Sequence, residues 1–274
     1  MIVAVCGSFD DLRLRHVRLL DEASHLGQLH VLLWSDQLIQ TTTGQGPKFP
    51  QHERLYFLQS MRYVHQVTLV DSAFDPESLP PIHDLRPDIW AVDPAADTPA
   101  KRQFAHIHHL QYQIVPDDQL QAIPTSDSSF IVHRSSFPPR KVLVTGCYDW
   151  LHTGHIRFFE EVSELGDLYV VVGHDANIAQ LKGPGHPLFL QYHRRYMVQS
   201  IRFVRQALIS TGHGWLDAEP EIRTLKPDYY AVNEDGDKPE KREYCQQHGI
   251  EYVILKRLPK PGLPRRQSTI LRGF

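Results

Sequence analysis

Cysteine is scarce in this 274-residue chain, neither sign of charge dominates, and no long apolar run occurs. The three cysteines, Cys6, Cys147 and Cys245, are too few and too scattered for a disulfide framework or a CxxC zinc cluster. A reducing, cytoplasmic setting is the expectation. With 29 basic against 32 acidic side chains and a formal charge of −3, there is no broad basic field for gripping nucleic acid, and no nucleic-acid partner is expected. No apolar run approaches the ~18 residues of a membrane span. The N-terminal apolar stretch reaches Asp10 and Asp11 before a signal-peptide core could form, so no membrane partner is expected either. What the chain does have is 41% hydrophobic residues, which excludes disorder as its main state and suggests one large or two small domains.

The second of these follows from an internal echo. Leu85-Arg86-Pro87-Asp88 returns as Leu225-Lys226-Pro227-Asp228, a displacement of 140 residues; Arg54, Gln59-Ser60 and Arg62 return at the same displacement as Arg194, Gln199-Ser200 and Arg202. Lys101-Arg102 returns as Lys241-Arg242 and Ser128-Ser129 as Ser268-Thr269. Near the starts, Gly7-Ser8-Phe9-Asp10 matches Gly146-Cys147-Tyr148-Asp149 at a displacement of 139, so one residue has been inserted between the blocks. Two copies are expected, at residues 1–134 and 141–274, joined by a proline-bearing linker at 135–140.

Each copy alternates short apolar runs with amphipathic stretches. In the second, strands are expected at Val142-Leu143-Val144, at 168–172, around Tyr229-Tyr230-Ala231-Val232 and at 252–255, with helices at 156–165, 191–203 and 239–248. Such alternation predicts an α/β protein of two tandem Rossmann-like domains, each a doubly wound parallel sheet whose ligands lie beyond the carboxyl ends of the strands.

The turn after the first strand of the second copy reads Gly146-Cys147-Tyr148-Asp149-Trp150-Leu151-His152-Thr153-Gly154-His155. Two histidines three apart, with a glycine between them, arrive at a helix N-terminus, where free N–H groups and the helix dipole favour an anion. Gly146 and Gly154 leave room for a phosphate to approach the backbone.

This segment resembles the GxFDxxHxGH signature of the HxGH nucleotidyltransferase superfamily, in its cytidylyltransferase branch, with Tyr148 for the usual Phe. The duplicated layout is similar to that of the ethanolamine-phosphate cytidylyltransferases. The resemblance implies transfer of CMP from CTP onto a phospho-alcohol or phospho-sugar, with release of pyrophosphate and with Mg²⁺ accompanying the nucleotide. It assigns His152, His155 and Lys182 to catalysis. It assigns Gly146, Cys147, Tyr148, Asp149, Gly154, Arg194, Arg202, Asn233, Asp235, Ser268 and Thr269 to nucleotide binding. The family writes Arg-Thr-x-Gly-Ile-Ser-Thr where this chain has Pro264-Arg265-Arg266-Gln267-Ser268-Thr269, and Arg266 is taken as the phosphate-binding arginine. No protein metal cage is expected. His106, His108 and His109 lack the companions a zinc site needs. Two rivals stand beside this reading: an adenylyltransferase using ATP on a sugar phosphate, and a non-catalytic nucleotide sensor or scaffold.

The first copy places Arg13, Leu14 and Arg15 opposite His152, Thr153 and Gly154, keeping only His16. The position of Lys182 falls among Thr41, Thr42 and Thr43, and Asp93-Pro94-Ala95-Ala96 lacks the acid corresponding to Asp235. This copy is expected to be a pseudo-domain that supports the second, giving a monomer with an internal pseudo-dimer or else a homodimer. The alternative is that Arg13 and Arg15 form a different anion site.

Overall fold

The structure, a computed structural model, describes residues 1–81, 85–124 and 140–271, and of Thr269 only the main chain. All of the expected linker except Arg140, and the Ser128-Ser129 echo, lie outside the described residues. The chain forms two compact units, Met1–Ala122 and Ile123–Phe274.

In the first unit the elements run β1 (Ile2–Gly7), α1 (Leu14–Ser24), β2 (Gln28–Trp34), α2 (Asp36–Thr43), α3 (Gln51–Gln59), β3 (Gln66–Val70), β4 (Ile89–Val92), α4 (Pro99–Ile107), β5 (Gln111–Ile114) and α5 (Asp117–Gln121). Its sheet has the order β3-β2-β1-β4-β5, parallel throughout.

The second unit comprises β6 (Lys141–Gly146), α6 (Thr153–Ser163), β7 (Asp167–Val172), α7 (Asp175–Lys182), α8 (Gln191–Gln199), β8 (Val204–Ile209), α9 (Glu219–Leu225), β9 (Tyr229–Asn233), α10 (Pro239–Gln247), β10 (Glu251–Leu255) and α11 (Ser268–Leu271). The order β10-β9-β6-β7-β8 is again parallel. Both units are therefore doubly wound, and strand order reverses beside β1 and beside β6. That reversal opens a crevice at the carboxyl ends of the strands. Val142, Leu143 and Val144 of β6 are fully buried, as befits a central parallel strand covered on both faces.

Two boundaries differ from the sequence expectation. Helix α6 begins at Thr153, three residues earlier than expected, because His152 caps it and the HxGH segment itself forms the first turn. Helix α8 stops at Gln199 and does not continue to residue 203; Ile201 and Val204 are buried where the chain turns into β8, and that burial outweighs helical periodicity. The stretch before Gly183 is helix α7, which Lys182 ends.

The inserted residue is located by matching hydrogen bonds. Gly44 and Gly183 each follow a helix at positive φ. Asp10 then accepts the N–H groups of Lys48 and Phe49, as Asp149 accepts those of Leu188 and Phe189. The extra residue lies between these points, in the loop after Gly183. Among the described residues no helix is long and apolar enough to cross a membrane.

Candidate active site

The left-handed turn at Tyr148 (φ 51°) carries the chain from β6 towards α6. Gly146 is required there for a reason the sequence did not show: a Cβ at this position would stand 2.7 Å from the Tyr148 ring. That ring is buried and packs on His155 and Phe159, with centroids 5.3 Å away in each case. Tyr148 thus braces a histidine from behind.

The two histidines form a reciprocal cap. The Nδ1 of His152 accepts the Gly154 N–H at 3.1 Å, and the Nδ1 of His155 accepts the His152 N–H at 3.4 Å. An imidazole nitrogen that accepts carries no proton, so each neutral ring is fixed as the tautomer with its proton on Nε2. The rings stack at 3.9 Å. Burial, and then the positive charges of Arg257 and Arg266, push the His152 pKa down to about 3. Burial, followed by His152, Arg257 and Lys182, holds His155 well below its ordinary value. Both rings are therefore neutral N–H donors at physiological pH. The Nε2 of His152 is buried and finds no acceptor among the described residues.

His155 opens onto a cleft of about 790 Å³, solvent space included, whose near wall is Gly146, Cys147, Tyr148, Asp149 and Gly154. Lys182, Asn233, Asp235 and Ser268 approach it from other elements, so the fold brings these residues together from across some 120 positions of sequence. His152 lies beneath this surface, stacked on His155. Asp149 is buried with its carboxylate on the Leu188 and Phe189 N–H groups at 2.7 and 3.0 Å; it anchors the loop that follows Lys182. The Ser268 hydroxyl donates to the Trp150 carbonyl at 3.3 Å, and the side chain of Thr269 lies outside the described residues.

Two arginines stand differently from expectation. Arg194, 1% exposed, directs its guanidinium inward to the carbonyls of Phe189 (2.8 Å), Cys147 (2.6 Å) and Gly173 (2.8 Å) and to Asp175 (2.6 Å). Arg54 makes the corresponding bonds to Phe49, Ser8, Trp34 and Asp36 in the first unit. A clamp present in both copies serves the fold, and it takes four of the five N–H donors of the buried Arg194. Arg202 precedes β8 at its amino end, whereas the cleft lies at the carboxyl ends; parallel strands put the two at opposite ends of the sheet. Arg257, just beyond β10, lines the cleft beside the Asp235 carboxylate that it pairs with. Arg266 borders an adjoining hollow with Lys256, Arg265 and Asn233. The sequence signal for Arg257 was its place directly after a strand, masked by the long Pro-rich loop separating it from Ser268. Lys241 was also passed over. It lines the cleft, donates to the Gly236 carbonyl at 3.1 Å, and is held below its ordinary pKa by burial.

The first unit has the same scaffold and different contents. Arg13 caps α1 and donates its N–H to His16 Nδ1 at 3.1 Å, and its side chain meets Asp11 at 2.7 Å. Arg15, in place of Gly154, forks onto Asp93 at 2.5 and 2.6 Å and reaches Asp117 at 2.5 Å. Both guanidinium groups meet carboxylates of their own unit, and this gives the alternative of a second anion site no support. Thr43, the counterpart of Lys182 at the end of α2, places its hydroxyl on the Ile39 and Gln45 carbonyls at 2.9 Å.

A pH dependence follows. Because both site imidazoles are neutral well below pH 6.5, no loss of activity due to His152 or His155 is expected as pH rises from 6 to 8. Below about 6.5 the unfolded chain takes up protons that the folded rings refuse, so their contribution to stability falls with pH from 6.5 towards 3. Thermal melting and initial rates between pH 5 and 8 check both statements; a rate falling tenfold as pH rises through 6.5 would show a protonated histidine at work.

A doubly wound fold with an HxGH turn opening onto a cationic cleft defines an HxGH nucleotidyltransferase. The chain belongs to the cytidylyltransferase-like family, which matches residues 4–136 and 143–257. Among its relatives is an FAD synthase of Aciduliprofundum boonei, 35% identical over 125 residues, covering 44% of this chain and 80% of the relative. An FAD synthase of Thermococcus kodakarensis is 33% identical over 119 residues, covering 42% and 78%. The bifunctional protein HldE of Nitratiruptor sp. is 38% identical over 71 residues, covering 26% of this chain and 15% of the relative.

Proposed function

We propose that the second unit transfers a nucleoside monophosphate from a nucleoside triphosphate to a phosphorylated small molecule, and that the first unit is a pseudo-domain without turnover. The observation that carries this is the reciprocal histidine cap, which presets two Nε2–H donors beside the α6 N-terminus. In the reaction an anionic phosphate oxygen of the acceptor attacks the α-phosphorus. The bond from that phosphorus to its bridging oxygen breaks, and the electron pair leaves with pyrophosphate. Such an acceptor needs no protein nucleophile, so catalysis is positioning and charge stabilisation. His155 and His152 donate to phosphate oxygens as charge builds on the bridge. Lys182 and Arg257 neutralise the flanking phosphates.

Among the described residues no three His, Cys, Asp or Glu side chains group to hold a metal ion, and the cleft carboxylates Asp149 and Asp235 are engaged by backbone N–H groups and by Arg257. Mg²⁺ therefore fits as a counter-ion carried on the nucleotide phosphates, where it supplies charge neutralisation. For the nucleotide, the FAD synthase relatives favour ATP; the family description favours CTP, the nucleotide expected from the sequence. The intact His152, Gly154, His155 and Lys182 weigh against a purely sensing or scaffold role.

The test is pyrophosphate release by the full chain with ATP or CTP and a set of phosphorylated acceptors. The expected result is acceptor-dependent release, with ATP preferred. Absence of release with both nucleotides across flavin, sugar and alcohol phosphates, in a protein that is folded, would contradict the reading.

A further inference from the structure

One wall of the cleft carries donors that the histidine chemistry does not use, and it belongs to the other face of the sheet. The β6-α6-β7 and β9-α10-β10 crossovers step away from the switch point in opposite directions. Right-handed crossovers therefore place α6 and α10 on opposite faces. Leu143 packs with Cys245 of α10, and Thr145, two residues along β6, lies on that same face. Its hydroxyl shares a 2.8 Å hydrogen bond with that of Tyr230. Burial raises the Tyr230 pKa, so the phenol keeps its proton. Of the two hydroxyl protons, one joins the oxygens and the other is left for a ligand. Lys241, in the first turn of α10, lies over the Tyr230 ring, 5.9 Å from its centroid, and both Lys241 and Thr145 line the cleft. The ammonium spends one of its three donors on the Gly236 carbonyl. The carboxylates that bear on its charge, Asp237 and Asp217, are engaged by Arg242 and by the Ser210 hydroxyl. An ammonium and a hydroxyl with donors to spare thus face His155 across the cleft.

The duplication supplies an internal control for this wall. Lys101 makes the same tie, to the Ala96 carbonyl at 2.7 Å, so that single bond serves the fold in both units. The rest of the wall is not repeated. By strand register Cys6 stands for Thr145 and Trp90 for Tyr230, and the Trp34 indole donates to the Cys6 sulfur at 3.2 Å. The carbonyls held by Arg54 and Arg194 make Gly173 the counterpart of Trp34, so no indole covers Thr145. The unit that keeps HxGH has an open hydroxyl pair beside its lysine; the unit that lost it has a covered thiol and an indole.

In-line displacement puts the attacking and leaving oxygens on opposite sides of the α-phosphorus. Arg257 and Arg266, whose charges reach His152, stand with Lys256 and Arg265 around a hollow that borders α6, where the more highly charged leaving group belongs. The wall across the cleft is scaled to one phosphate. Resting on the nucleotidyltransferase reading, we infer that Lys241 and Thr145, backed by Tyr230, bind the phosphate of the acceptor, a phosphate monoester, and aim its oxygen at the α-phosphorus held by α6.

The experiment measures binding of inorganic phosphate to the full chain loaded with Mg²⁺ and the α,β-methylene analogue of ATP or CTP, so that the triphosphate positions are already filled. Wild type is expected to bind phosphate. Lys241→Gln, whose amide can still donate to the Gly236 carbonyl, is expected to bind it about tenfold more weakly, the worth of one charge-assisted hydrogen bond. Its nucleotide affinity and melting temperature are expected to stay those of wild type. Lys241→Arg should retain phosphate binding, and Lys101→Ala should behave as wild type. Thr145→Val, which leaves the tie of the lysine intact, is expected to weaken phosphate binding without weakening nucleotide binding, and it decides the matter if the Lys241 variants do not fold. The inference is overturned if the loaded wild type binds no phosphate, or if either Lys241→Gln or Thr145→Val, folded, binds it as wild type does. It is also overturned if these variants lose nucleotide affinity by the same factor as phosphate affinity. Failure of wild type to bind either nucleotide analogue would instead sink the underlying reading.

Discussion

His155→Ala is expected to lower kcat by about 10²–10³-fold, or ~2.7–4 kcal/mol, the usual cost of removing one preorganised donor to developing negative charge. The ring faces the cleft, is held in one tautomer by the His152 N–H, and is braced by Tyr148. Because that donor is already oriented before substrate arrives, its loss should appear in kcat more than in nucleotide affinity. Replacement of His152 by alanine is expected to cost a similar factor, together with about 1 kcal/mol of stability from the lost helix cap. Steady-state rates, with nucleotide binding measured separately, distinguish these effects. A His155→Ala enzyme with unchanged kcat would remove the histidine pair from the mechanism.

The second large effect concerns stability. Arg194→Ala is expected to destabilise its unit by about 3–5 kcal/mol, because it strips a buried guanidinium from three backbone carbonyls and from the Oδ1 of Asp175. That corresponds to a fall of about 10–15 °C in melting temperature for a domain of this size. Arg54→Ala, which breaks the matching clamp, should act on the first unit to a comparable extent. Thermal melts of the two variants check the claim. If Arg194→Ala melted with wild type but bound nucleotide weakly, the arginine would belong to the ligand and not to the fold.

Much of the second unit was legible in the sequence because its signals are local. Buried parallel strands read as unbroken apolar runs such as Val142-Leu143-Val144, and the HxGH turn carries its own cap within four residues. The misreadings share a different cause. Arg194 and Arg202 sit in a stretch whose chemistry depends on which end of the sheet each residue reaches, and helical spacing cannot report that. Arg257 carried no signal in the sequence beyond its place directly after a strand, because the strand end that delivers it to the cleft is set by the pairing of β10 with β9. Lys241 carried no signal beyond its echo in Lys101; its place at the cleft depends on the packing of α10 beside β9. Tyr148 looked like a substitution in a signature, and only the packing of its ring on His155 shows what the aromatic is for.

The most direct measurement is pyrophosphate release by the intact chain as wild type, His155→Ala and His16→Ala, under one set of conditions. His16 occupies the same cap geometry as His155, so the pair compares equivalent positions in the two units. The result predicted is release by His16→Ala equal to wild type, with a loss of about 10²–10³-fold in His155→Ala. Equal losses in both variants would contradict the assignment of catalysis to the second unit alone.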